Sequence, residues 1–151
     1  MKLLEELTLK PGVNIVLNEG RWSAHNLLSY LISVVPNSNV LISTYSIGED
    51  AIRLFDDDRI ESLRLILDKS MLRHKVALVE FALHTQASIR VCDNHSKVLV
   101  IDNDKDRIAF IGSQNYTKNR RVEMGVLFFN CKEVDDVKEK MNGVFELAYS
   151  L

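Results

Sequence analysis

Cysteine and proline are scarce, with two of each in 151 residues. Cys92 and Cys131 are too few for a disulfide framework, and nothing forces them to pair. Pro11 and Pro36 both fall at apparent element boundaries. Long apolar runs are missing: none could cross a bilayer. The opening residues 1–6 are interrupted by Glu5 and Glu6, unlike an export signal. The expectation is a cytoplasmic protein that does not enter the membrane. An excess of one charge is missing too. Nineteen Lys and Arg stand against twenty-one Asp and Glu, a net charge of −2. That removes any global pull toward nucleic acid or anionic lipid, so a preference for phosphate has to come from a local site. No low-complexity stretch, Pro/Gly/Ser-rich linker or internal repeat divides the chain, and residues 1–151 read as one domain with a real core.

What is present is ordinary globular material, 46% hydrophobic and 26% charged. Residues 13–17 read as a short strand. Trp22, Leu27, Leu28, Leu31, Val34 and Val35 recur at helical spacing, and Pro36 with Asn37 ends that helix. Residues 40–45 suit a buried strand. A second helix follows Gly48, and the spacing predicts a third over about 59–69. Residues 75–83 fit strand or helix. Residues 88–92, 95–102, 107–111 and 123–129 read as four strands. Val134, Val137, Met141, Val144, Phe145 and Ala148 form the apolar stripe of a closing helix. Several strands are apolar on both faces, so the expected class is α/β, a mixed sheet sandwiched between helices.

The chemistry is concentrated between residues 95 and 123. His95 and Lys97 stand two apart in a strand-like run ending at Asp102, which puts both on one face roughly 7 Å apart. A cation beside an imidazole suits a phosphate: the ammonium holds a non-bridging oxygen while a ring nitrogen approaches phosphorus. Gly112, Ser113 and Asn115 follow another strand. The glycine allows a tight turn, and Ser113 and Asn115 offer hydrogen bonds to phosphate oxygens. Glu123 can fix a histidine tautomer by accepting from its second ring nitrogen. Lys118, Arg120 and Arg121 form the best local basic cluster, and they fall between Asn115 and Glu123.

The pattern His95-x-Lys97-x-x-x-x-Asp102 resembles the HKD motif of the phospholipase D superfamily. Gly112-Ser113-x-Asn115-Tyr116-Thr117 resembles the element that follows it there, and Glu123 matches the downstream glutamate. The match is firm over about 95–130; residues 41–46 are similar to an early strand of that superfamily. With one motif in a short chain, the sequence is similar to the small bacterial endonucleases of the group, which pair two subunits. It differs from the secreted ones in lacking their export signal and basic charge. The resemblance implies a phospholipase D-like fold and a homodimer. It implies that His95 is the nucleophile, forming a phosphohistidine, while the second subunit's copy protonates the leaving group. Lys97 and Asn115 would bind phosphate oxygens with Ser113 assisting, Glu123 would orient His95, and Asp102 would be structural, since by parity it points away. Lys118, Arg120 and Arg121 would grip a nucleic-acid substrate, DNA or RNA. No metal and no cofactor is expected, because no carboxylate cluster with metal spacing accompanies the motif.

Blander readings compete. His25, His74 and His84 read as structural or surface residues. Cys92, His95 and Cys131 lack the second close pair of a zinc site. Asp56, Asp57 and Asp58 read as a solvated connection rather than a magnesium site. Ser113 is not in a G-x-S-x-G elbow. The remaining functional alternatives are an idle module that binds nucleic acid without turnover, and a phospholipase. The second would need an exposed amphipathic surface helix that no stretch provides.

Overall fold

A computed structural model describes residues 7–118 and 120–151. The opening stretch 1–6 and Asn119 of the basic cluster lie outside the described residues. The elements run β1 (Gly12–Glu19), α1 (Ala24–Val34), β2 (Ser38–Thr44), α2 (Glu49–Ile52), β3 (Ile60–Asp68), α3 (Met71–His74), α4 (Val76–Leu83), β4 (Ser88–Cys92), β5 (Val98–Asp102), β6 (Arg107–Gly112), β7 (Val122–Phe129), α5 (Lys132–Leu147) and β8 (Tyr149–Ser150). Eight strands form one mixed sheet in the order β1-β7-β6-β5-β2-β3-β4-β8. β2, β3 and β4 are parallel, and every other pairing is antiparallel.

Alternation decides which side chains face which layer. Val40 and Ile42 of β2, Leu99 and Ile101 of β5, and Ile108 and Phe110 of β6 pack under the early helices, against Leu27, Leu28, Leu31 and Ile52. Their neighbours Leu41, Val98, Val100 and Ala109 face the other way, onto Val134, Met141 and Phe145 of α5. Strands buried on both faces read as continuous apolar runs, as they do here. The expected α/β sandwich is therefore present.

One element differs from expectation. The helix predicted over 59–69 is β3, the strand between β2 and β4. Leu63, Leu65 and Leu67 alternate toward the early helices, while Ile66 faces α5. Arg64, on that same face, lays its guanidinium over the Phe145 ring at 5.4 Å. Burial on both sides fills the gaps in a period-two pattern, so it imitates a helical stripe. The ambiguous 75–83 segment is helical, as α4. Asp57 binds Arg59 two residues on, and Asp56 accepts the Gln86 N–H at 2.8 Å, so two of the three aspartates fasten the connection into β3.

Candidate active site

The candidate side chains gather where β2 and β3 end, β5 starts, β6 ends and β7 starts. In mixed α/β sheets, the carboxyl ends of parallel strands are where ligands bind.

Asn94 builds the segment that carries the histidine. It is buried, and its side-chain nitrogen lies 3.0 Å from Ser43 Oγ, 3.2 Å from the Thr44 carbonyl and 3.3 Å from the Ile66 carbonyl. Its own side-chain carbonyl accepts the Ser96 N–H and hydroxyl, at 3.0 and 2.7 Å. Its backbone N–H donates to Asp68 Oδ2 at 2.9 Å. Burial pushes the Asp68 carboxyl up, but the hydrogen bonds from Ser70 and Asn94, with Lys69 nearby, together hold it below the usual carboxylate range. Residues 94–97 are thus pinned to the ends of β2 and β3 rather than paired in the ladder. That corrects the expected strand over 95–102, which begins at Val98, opposite Ser43 near the end of β2.

His95 is exposed between these pinned neighbours. Lys97 Nζ lies 3.1 Å from its Nδ1 and 2.7 Å from its carbonyl oxygen. The Tyr45 ring stands 5.3 Å from the imidazole, tilted by 49°. Across the opening, Thr44 Oγ1 donates to Asn115 Oδ1 at 3.3 Å. Tyr116 is buried, its hydroxyl pKa pushed up by that burial, and its carbonyl accepts the Gly48 N–H at 2.6 Å. Ser113 donates its hydroxyl to Glu123 and accepts the Met124 N–H at 3.3 Å. His95, Lys97, Ser113, Asn115, Thr117, Lys118, Arg121 and Glu123 line one open cleft of about 420 Å³.

The remaining expected residues lie elsewhere. Asp102 is at the far end of β5, facing α5, where it ion-pairs with Lys138. Arg120 lines a neighbouring cavity rather than this cleft. Gly112 serves packing more than turning. It pairs with Gly125, and a Cβ on either would strike the Phe110 ring, at 2.8 and 2.4 Å. Sequence reasoning missed Asn94, Asn18 and Gln114. Asn18 and Gln114 are buried and joined by a 3.2 Å hydrogen bond. Buried polar residues beside a motif are the signal that could have found them, since each needs a partner. Among the described residues, no three of His, Cys, Asp and Glu come together as a metal site.

No family model and no curated protein sequence matches the chain. Solved structures do. A phospholipase D family member, Nuc from Salmonella typhimurium, superposes with a TM-score of 0.74 at 18% identity, over 94% of this chain and 99% of its own. This chain has the phospholipase D fold. Phosphatidylserine synthase from Haemophilus influenzae matches at 0.63 and 15% identity, over 92% of this chain and 39% of its own. TrmBL2, an archaeal chromatin protein that binds DNA, matches at 0.62 and 19%, over all of this chain and 58% of its own. This chain matches less than two thirds of the length of each of those two proteins. No helix of the described residues is long and apolar enough to cross a membrane.

Proposed function

We propose that the chain is a metal-independent phosphodiesterase, a nuclease that cleaves nucleic-acid phosphodiesters through a phosphohistidine in an active site shared by two copies of the chain. The convergence of His95, Lys97, Ser113, Asn115 and Glu123 on one cleft carries this reading. Lys97 and Asn115 donate to the non-bridging oxygens, so positive charge and hydrogen bonds meet the charge that develops on phosphorus. When Lys97 turns to the phosphate, His95 Nδ1 is free to carry the proton, with Glu123 on the same cleft as its acceptor. Nε2 then attacks phosphorus. The N–P bond forms, the P–O bond to the leaving group breaks, and the second subunit's imidazole gives that oxygen a proton. Water then attacks the phosphohistidine and gives its proton to the same imidazole, the N–P bond breaks, and both histidines return to their starting states.

A specific feature favours a second copy as the partner. On the α5 face, none of the described residues covers the β1 end of the sheet. Val13, Ile15, Leu17, Ile111, Val122 and Met124 lie there, each between 41% and 72% exposed. Paired strands put them on one face: Leu17 is opposite Met124, and Ile15 and Ile111 are both opposite Val126. A contiguous apolar patch of this kind supports an interface with a second copy. Its Leu17, Ile111 and Met124 end lies at the same strand ends as Ser113 and Glu123, though on the other face of β7 from Glu123, and a two-fold contact over those strand ends is the arrangement that would let two clefts meet.

The test joins light scattering with hydrolysis of bis(p-nitrophenyl) phosphate and single-stranded DNA in excess EDTA. Wild type should be a dimer that stays active. Leu17→Glu/Met124→Glu should be a folded, inactive monomer. A fully active monomer sinks the shared site, and activity restored only by added metal sinks the metal-free mechanism. Binding of nucleic acid with no turnover of any phosphodiester makes the idle binding module the better description.

A further inference from the structure

The basic cluster that reads as one unit in the sequence is split by the fold. Arg121 lines the cleft, Arg120 lines a second cavity of about 380 Å³, and Lys118 lines both. The second cavity is completed by Arg21, Trp22 and His25 from the β1–α1 loop and the start of α1. Asp50 is the carboxylate on its wall, and it pairs with Lys118 at 3.7 Å, both side chains being solvent-accessible. Arg21 meets Glu19 at 3.2 Å in an equally open pair. Exposed pairs of this kind are worth little and exchange readily for a phosphate.

Two features hold the second cavity at a set offset from the first. Asn18 accepts the Arg21 and Trp22 N–H groups, at 3.0 and 3.4 Å, and donates to Gln114 Oε1 at 3.2 Å. Gln114 stands between Ser113 and Asn115, and its amide reaches back to the Trp22 carbonyl at 3.3 Å. The loop bearing Arg21 is therefore bolted to the turn that lines the cleft. Gly20 permits the other contact. Its φ is +77°, and a Cβ there would lie 2.3 Å from the Arg120 carbonyl oxygen, so the two loops touch backbone to backbone.

We infer that this cavity is a second phosphate subsite, taking the neighbouring phosphate of the same nucleic-acid strand while the scissile phosphate lies at His95. The inference rests on the nuclease reading. A small diester with one phosphate fills only the cleft, whereas a strand fills both cavities and gains the cations of the second.

The experiment compares wild type with Arg21→Ala/His25→Ala, neither residue being part of the cleft. Binding of a labelled single-stranded oligonucleotide is measured by anisotropy across a salt titration, and turnover is followed on bis(p-nitrophenyl) phosphate. The double variant should bind the oligonucleotide about tenfold more weakly at low salt, with the slope of log K against log salt shallower by about 0.7 for each phosphate no longer neutralised. Its turnover of the small diester should match wild type, and Arg21→Lys should restore most of the binding. Unchanged oligonucleotide binding, or equal loss on both substrates, overturns the subsite. Because binding is read without turnover, a protein that hydrolyses neither substrate refutes the nuclease reading while the binding arm still decides the subsite.

Discussion

The two ends of β5 belong to one eight-residue motif and have opposite characters. At its start, His95 and Lys97 line a cleft, beside Asn94 and Ser96 whose side chains are hydrogen-bonded. At its end, Asp102 is tied to Lys138 on α5. The larger cavity, about 610 Å³, lies at that far end, lined by Glu61, Asp102, Asp104 and Asp106. Its four carboxylates outnumber the one cation on its wall, Lys105, so it suits a phosphodiester less well than the smaller cleft at His95. One end of the motif leaves His95 exposed on a cleft, and the other ties the sheet to the closing helix.

Substitutions at and around the two ends test that contrast. The largest effect is expected from His95→Asn, which removes nucleophile and proton donor together. Turnover should fall by at least about a thousandfold while oligonucleotide binding and dimerisation persist. Residual activity near wild type would refute the role of His95.

Asn94→Ala comes next. It strips partners from the ends of β2 and β3 and leaves buried polar atoms unsatisfied, so chemical denaturation should show a loss of about 3 kcal/mol. Turnover should drop as well, because the loop bearing His95 loosens. A stability loss with unchanged turnover would separate the hinge from the site.

Acid should act on the same anchor. The Asp68 carboxyl sits below its ordinary value when folded, so its stabilisation is complete above the unfolded value and is lost as pH falls through the folded one. Wild-type thermal stability should decline below about pH 4. Asp68→Asn should show a smaller decline there and should cost about 2 kcal/mol at neutral pH. An unchanged acid limb would mean that other carboxylates dominate.

Asp102→Asn should have the smallest effect. It should lower stability by about 1 kcal/mol at most, since the Lys138 pair is partly solvated, and leave turnover within a fewfold of wild type. A collapse of turnover would place Asp102 in the chemistry and erase the contrast between the two ends.

Much of this was legible from residue patterns because it depends on short-range rules. Strands β1, β2, β4, β6 and β7 follow from apolar runs, and α5 from its stripe. Motif spacing anticipated that His95, Lys97, Ser113, Asn115 and Glu123 share one cleft, and Asp102 does lie away from it, although His95 and Lys97 precede the strand on which the parity argument relied. What was illegible depends on partners distant in the chain. β3 looks helical until its two flanking strands are known. The Asn94 hinge exists only when β2 and β3 end beside it. Gly112 seems to serve a turn until Phe110 and Gly125 are placed around it. Arg21 and His25 carry no signal alone, and acquire a setting only when Asn18 meets Gln114.

The pairing of Asn18 with Gln114 has a kinetic meaning. β1 comes first in the chain but pairs with β7, and Asn18 reaches Gln114 across 96 residues while Asn14 reaches Leu127 across 113. Such closures carry a large loop-entropy cost and belong to the slow end of folding. The parallel strands and the Asn94 hinge involve shorter separations and can form first. β1 therefore cannot pair until β7 has emerged, and the cleft, which needs Glu123 of β7, is incomplete until the same point in synthesis.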